Sequence, residues 1–289
     1  MKSWLAWLPL SLTLVSVGPA AAEIGAVTLI EGSARVLRAA TWYKMVPGTR
    51  LEEADILDLS ERAQVQIEFA AGSIVNLVGT AGLYLAPGKG KGAPIPLVVP
   101  TGWLKAVAKP PGLQVRTASF AVVAMDAIVV LRAMKTTADF FVESGDVKLV
   151  EIAASGADGQ AREVTRGEYV TRSAAGAITT VGRAPKVFVD AMPRHFIDPV
   201  YVLAAKLKSP PVLSVDHEIT YAEAEPWLAG RDRAVFERRF GSRLRDPAFR
   251  SAVMPNAARY PTWDRILNPQ KYEPKDDSRK NDSKKAPAK

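Results

Sequence analysis

Between Val65 and Phe69 apolar residues alternate with Gln64, Gln66 and Glu68, the period of a strand with one face buried and one facing water. Ala70-Ala71-Gly72 then turns the chain, Gly72 supplying the positive φ of a three-residue hairpin loop, and Val75 and Leu77 return to the apolar face. Short strand-like runs of this kind recur at intervals of roughly ten residues from Ile24 to Val181, the spacing of a sandwich, barrel or solenoid. The clearest are Gly25 to Ile30, Ala34 to Arg38, Ile56 to Leu59, Leu83 to Leu85, Leu104 to Ala108, Ile128 to Arg132 and Val147 to Ile152. Gly48, Gly72, Gly102, Gly145 and Gly167 punctuate them as structural turns. A mainly β domain of stacked-sheet or solenoid-like form is predicted over 23–183, its edges hidden by stacking or closure.

The period changes after Pro185. Residues 184–218 read as a linker with a short helix, opened by the N-cap pair Asp198-Pro199. A small helical module follows over 219–272. Thr220 with Glu223 fits a capping box, Asp246-Pro247 repeats the Asp-Pro start, and Val235, Phe236, Phe240 and Leu244 form an apolar stripe at helical spacing. Residues 273–289 are polar and charged, the composition of a disordered tail.

Residues 1–22 carry the parts of an export signal: Lys2, an apolar run from Trp4 to Val17, and Ala20-Ala21-Ala22 as a cleavage site. The run is shorter than the ~20 residues of a spanning helix. Ala118 to Leu131, the other apolar stretch, holds Asp126 and many β-branched residues, so it reads as buried strands and no transmembrane segment is expected after cleavage. The chain has no cysteine, which excludes disulfides and lipid attachment through an N-terminal Cys. Its net charge of +8 would suit nucleic acid, but export to the periplasm or beyond leaves lipid headgroups, lipopolysaccharide or acidic glycans as the anionic counterparts.

The β region resembles the FecR-type domain of bacterial envelope and regulatory proteins. The resemblance rests on Gly25-Ala26-Val27 with Gly32, Arg35 to Arg38, Gly48 with Leu51, and Asp55-Ile56. It continues through Val65 to Phe69 with Gly72-Ser73, Leu83 to Leu85, Gly102-Trp103, Val115-Arg116-Thr117, Val142 to Val147 and Gly167-Glu168. It implies an all-β fold and a role in extracytoplasmic interaction, linked in larger relatives to surface signalling. The sigma-regulating helical domain and membrane helix of those relatives have no counterpart in this sequence.

Catalytic chemistry finds little material. His195 and His217 are the only histidines, no HExxH or cysteine cluster offers a metal site, and Gly88-Lys89-Gly90-Lys91-Gly92 lacks the frame of a phosphate loop. No catalytic residue, metal or cofactor is expected. Asp55, Asp58 and Glu68 are the carboxylates that a divergent glycosidase would need, although turns and an outward strand face account for all three. Arg231, Arg238, Arg239, Arg243 and Arg245 suggest a face for an envelope protein or an anionic envelope polymer, or else a solvated helix surface. A peptidoglycan or polysaccharide binder would instead use Trp42, Tyr43 and Trp103 as a stacking surface. The expected function is non-enzymatic binding in the bacterial envelope.

Overall fold

A computed structural model describes residues 23–272 apart from 154, 174, 175, 177 and 208; the export signal and the charged tail read from the sequence lie outside these. The fold is mainly β with a small helical region at its C-terminal end. The strands are β1 (Glu23–Glu31), β2 (Ala34–Arg38), β3 (Thr41–Lys44), β4 (Arg50–Glu52), β5 (Ile56–Leu59) and β6 (Gln64–Phe69). They continue with β7 (Ile74–Leu85), β8 (Ile95–Ala108), β9 (Leu113–Arg116), β10 (Phe120–Ala124), β11 (Ala127–Ala133) and β12 (Ala138–Ser144). The last are β13 (Val147–Ile152), β14 (Asp158–Val164), β15 (Tyr169–Arg172), β16 (Ile178–Val181) and β17 (Ser214–Glu218).

All belong to one open hydrogen-bonded sheet that folds over itself. The front layer runs β4-β1-β6-β7-β8-β11-β12-β15-β16, and the back layer runs β17-β3-β2-β5-β7-β8-β9-β10-β13-β14. β7 and β8 serve both: Ile74 to Val78 pairs with Trp103 to Val107 in front, while Tyr84 and Leu85 pair with Val98 and Leu97 behind. Every pairing is antiparallel except β8 with β9. Alternate residues of the two layers, among them Val36, Leu57, Val65, Ile67, Val75, Leu77, Leu104, Val129 and Phe140, meet in one buried core.

The hairpin of β6 and β7 forms as expected, with Glu68 opposite Ile74 and Gly72 at φ +89°. Gly102 differs from expectation. It lies inside β8 at φ +107°, where an added Cβ would fall 2.3 Å from Ala81 Cβ, so it permits close approach of two bent strands rather than a turn. Gly48, Gly145 and Gly167 do lie between elements.

Both outer faces of the folded sheet are covered. Behind, Leu37, Trp42, Ile56 and Tyr84 join Leu228, Phe236, Phe240, Phe249, Tyr260 and Trp263 in a second core. The module that supplies those residues comprises α2 (Tyr221–Leu228), α3 (Arg233–Phe240), α4 (Pro247–Val253) and α5 (Pro261–Leu267). Both expected starts are present: Thr220 and Glu223 form a reciprocal capping box, and the Asp246 carboxylate accepts from the Phe249 amide.

The segment expected to be a linker is a docked strap. It contains α1 (Lys186–Ala191), and Asp198-Pro199 opens no helix. Phe188 and Phe196 are buried against Val130, Tyr169, Trp103 and Phe141 of the front layer. Beside them β6 departs from the half-buried reading. Gln64, Gln66 and Glu68 do face away from the core, yet all three are buried, Gln66 and Glu68 beneath the strap. Gln66 donates to Tyr201 O (2.9 Å), Glu68 accepts from the Leu203 amide (2.6 Å), and the Lys105 ammonium donates to Phe196 O (2.5 Å) and pairs with Glu143 (2.9 Å). A polar sheet face that looked solvated is therefore a socket for backbone groups.

Candidate binding cleft

Where the helical module meets the back layer, a cleft opens on either side of Trp227. The capping box sets the start of α2, which places Pro226 and Trp227 above β7 and β8. Trp227 packs edge-on to Tyr84 at 6.2 Å and lies 5.5 Å from Phe236, which in turn is 5.1 Å from Tyr84. These rings wall a compartment of about 850 Å³ that also takes in Val98, Pro100, Arg116, Lys135 and Arg231. A smaller one of about 270 Å³ lies across Trp227, lined by Arg35, Trp42, Asp58, Gly82 and Glu223. Pro100, Thr101, Pro226 and Trp227 border both. Trp42 is buried, and its indole N–H has no acceptor among the described residues.

The charges at each end are arranged differently. At the large compartment Arg116 and Arg231 share Asp158, at 2.7 and 3.2 Å, and the Arg116 hydrogen bond is the leading cause that holds this carboxyl below its ordinary range. Lys135 is exposed and makes no ion pair among the described residues. At the small compartment Arg35 lies 4.2 Å from the Trp42 ring centre and bridges Asp58 and Glu223, each at 2.8 Å. Burial pushes the Glu223 carboxyl up, but the Thr220 amide and hydroxyl, His217 and Arg35 outweigh it and hold it at about 2.

The five arginines of the expected basic face do not share one surface. Arg239 turns inward and donates to Leu37 O (2.7 Å), Ala39 O (2.7 Å) and Ala54 O, tying α3 to two turns of the sheet. Burial lowers its pKa. Arg243 is committed to Ile219 O (3.2 Å) and the Glu218 carboxylate, and Arg231 stands at the cleft rim on Gly156 O (3.0 Å) and Asp158. Arg238 and Arg245 remain exposed.

The carboxylates are separated as well. Asp55 is buried in the turn before β5, where it accepts from Arg38 (3.0 Å) and the Glu52 amide (3.0 Å); burial raises its pKa against these bonds. Asp58 lies on the back layer with Arg35, and Glu68 lies under the strap in front, so the three converge on no common bond. The expected stacking surface is likewise dispersed. Trp42 is in the rear core, Trp103 is under the strap with Arg132 5.2 Å from its ring centre, and Tyr43 packs on the central core. Trp227, half-buried against the rear core, is the ring that borders the cleft; a tryptophan beside proline in a capped helix is its one local signal.

Among the described residues no group of three His, Cys, Asp or Glu side chains is placed to hold a metal ion. No described helix is long and apolar enough to cross a membrane, which leaves strands out of account.

No family model matches this chain, and no curated protein does. Two crystal structures of a "putative anti-sigma factor" from Parabacteroides distasonis are similar to it at 13% identity, with a TM-score of 0.38. The likeness covers 44% of this chain and 59% of those proteins, so this chain spans little more than half of their length. At that TM-score it carries no weight for fold or function.

Proposed function

We propose that the chain is a non-enzymatic binding protein of the bacterial envelope, a FecR-like β scaffold that presents a cleft to an envelope protein or to an anionic envelope polymer. In this reading residues 1–22 direct export, and the bound partner feeds a surface-signalling system. The observation that carries it is the cleft itself. It is large, walled by Tyr84, Trp227, Phe236 and two prolines, and assembled from sheet and helices together.

A photo-crosslinking amino acid at Ala222, which is exposed at the cleft, tests this in the living cell. The expected result is a discrete adduct that disappears with Trp227→Ala; an adduct pattern unchanged by that substitution would refute the cleft as the binding site. A second reading, a peptidoglycan or polysaccharide binder, is favoured by the half-exposed Trp227 ring. It predicts co-sedimentation with the purified polymer that is lost in Trp227→Ala and survives high salt.

A further inference from the structure

We propose that the strap over 184–206 is a peripheral membrane contact that seats the protein on an anionic lipid surface. The strap is built inside out. Its backbone oxygens and amides at 196, 201, 203 and 204 point into the polar socket of Lys105, Gln66 and Glu68, while Val187, Val189, Ile197, Tyr201 and Val202 are exposed to water. Val187, Ile197, Tyr201 and Val202 are exposed to 76, 70, 67 and 67%, and Val189 to 47%. Phe188 and Phe196, by contrast, plug the sheet and hold the strap in place.

This pattern of protruding aliphatic side chains differs from the cleft, which is concave. Protruding side chains flanked by cations suit a fluid interface, into which each enters separately without a matching pocket. Arg194 and Lys206 on the strap, and Arg183 immediately before it, are exposed, and none is in an ion pair among the described residues. Lys186 and Asp190 neutralise each other at 2.7 Å, and Asp198 is the one remaining exposed acid. The net excess of positive charge is the complement of anionic headgroups. Each such cation near an anionic surface strengthens binding about fivefold. Tyr201, with an apolar ring and a polar hydroxyl, suits the headgroup boundary.

Flotation of the chain from Glu23 onward, without the export signal, with vesicles of phosphatidylethanolamine and phosphatidylglycerol, against phosphatidylcholine alone, tests the assignment. Binding to the anionic vesicles is expected, weakening as salt is raised. Replacing Arg194→Gln with Lys206→Gln should lower the affinity on the order of 25-fold. Tyr201→Ser with Val202→Ser should lower it too, with an unchanged melting curve because these side chains are exposed. Trp227→Ala should leave vesicle binding intact, which separates this contact from the cleft. Equal binding to neutral vesicles, no binding, or indifference to both double variants would overturn the proposal. So would light scattering that shows a dimer abolished by Tyr201→Ser with Val202→Ser, since the face would then belong to a second copy of the chain.

Discussion

Arg239 shows at the residue scale how a charge that looked like a surface feature became structural. Its three carbonyl partners include Ala39 and Ala54, two non-glycine residues at φ +50° and +68°, so the guanidinium closes turns that alanine adopts at a cost. Arg239→Met leaves these acceptors without their donor and should cost about 3 kcal/mol in urea unfolding. Arg239→Lys should recover little of it, because one ammonium cannot reproduce the planar fork. Two glycines make a matched pair of a different kind. At Gly102 an added Cβ meets the Ala81 backbone at 2.6 Å, and Gly102→Ala should cost about 2–3 kcal/mol. At Gly72 nothing lies within 4 Å, so Gly72→Ala should cost only the backbone strain, about 1 kcal/mol, in the same assay. Sequence reading marked both as turn glycines; it could not see Ala81 beside one of them.

Elements differed in how far their own pattern revealed them. β6, β7 and β11 alternate or run apolar against the central core, and were legible. β14 and β17, Asp158–Val164 and Ser214–Glu218, are almost wholly exposed edge strands, so no apolar period marks them. The strap is the extreme case: its docking depends on backbone groups, which every residue carries, and on sheet residues far away in the chain, Gln66 with Tyr201 among them. Phe196→Ala should therefore loosen the strap more than it destabilises the protein. Hydrogen exchange at the amides of 203 and 204 is expected to quicken, while the core amides of β7 keep their protection. Equal quickening in both would mean that strap and sheet open as one unit.

Across the whole molecule, the helical module is a lid on the back layer. A chain ending at residue 218 would expose Leu37, Trp42, Ile56 and Tyr84, so it should bind a hydrophobic dye and aggregate, whereas the intact chain should unfold in a single transition. The joint between module and sheet is acid-sensitive. Glu223 is held at about 2 in the folded protein, below its ordinary 4.5, by contacts that reach from α2 to β17 and β2. A lowered carboxylate pKa adds stability above the unfolded value and loses it as pH falls through the folded one. Glu223→Gln should thus destabilise the protein at neutral pH and narrow the gap from wild type between about pH 4.5 and 2.

Local chemistry alone determined the β character of the chain, the β6–β7 hairpin, the capping box of α2 and the change to helix after the sheet, because alternation, capping and turn geometry act between residues a few positions apart. Only the tertiary structure decided what covers each face of the sheet. Gln66 and Glu68 look solvated until a segment 135 residues later lies over them, and Arg239 looks exposed until the Leu37 carbonyl, 202 residues earlier, accepts from its guanidinium. Covering a polar face needs only backbone partners and cations of ordinary type, and neither leaves a local mark in the sequence.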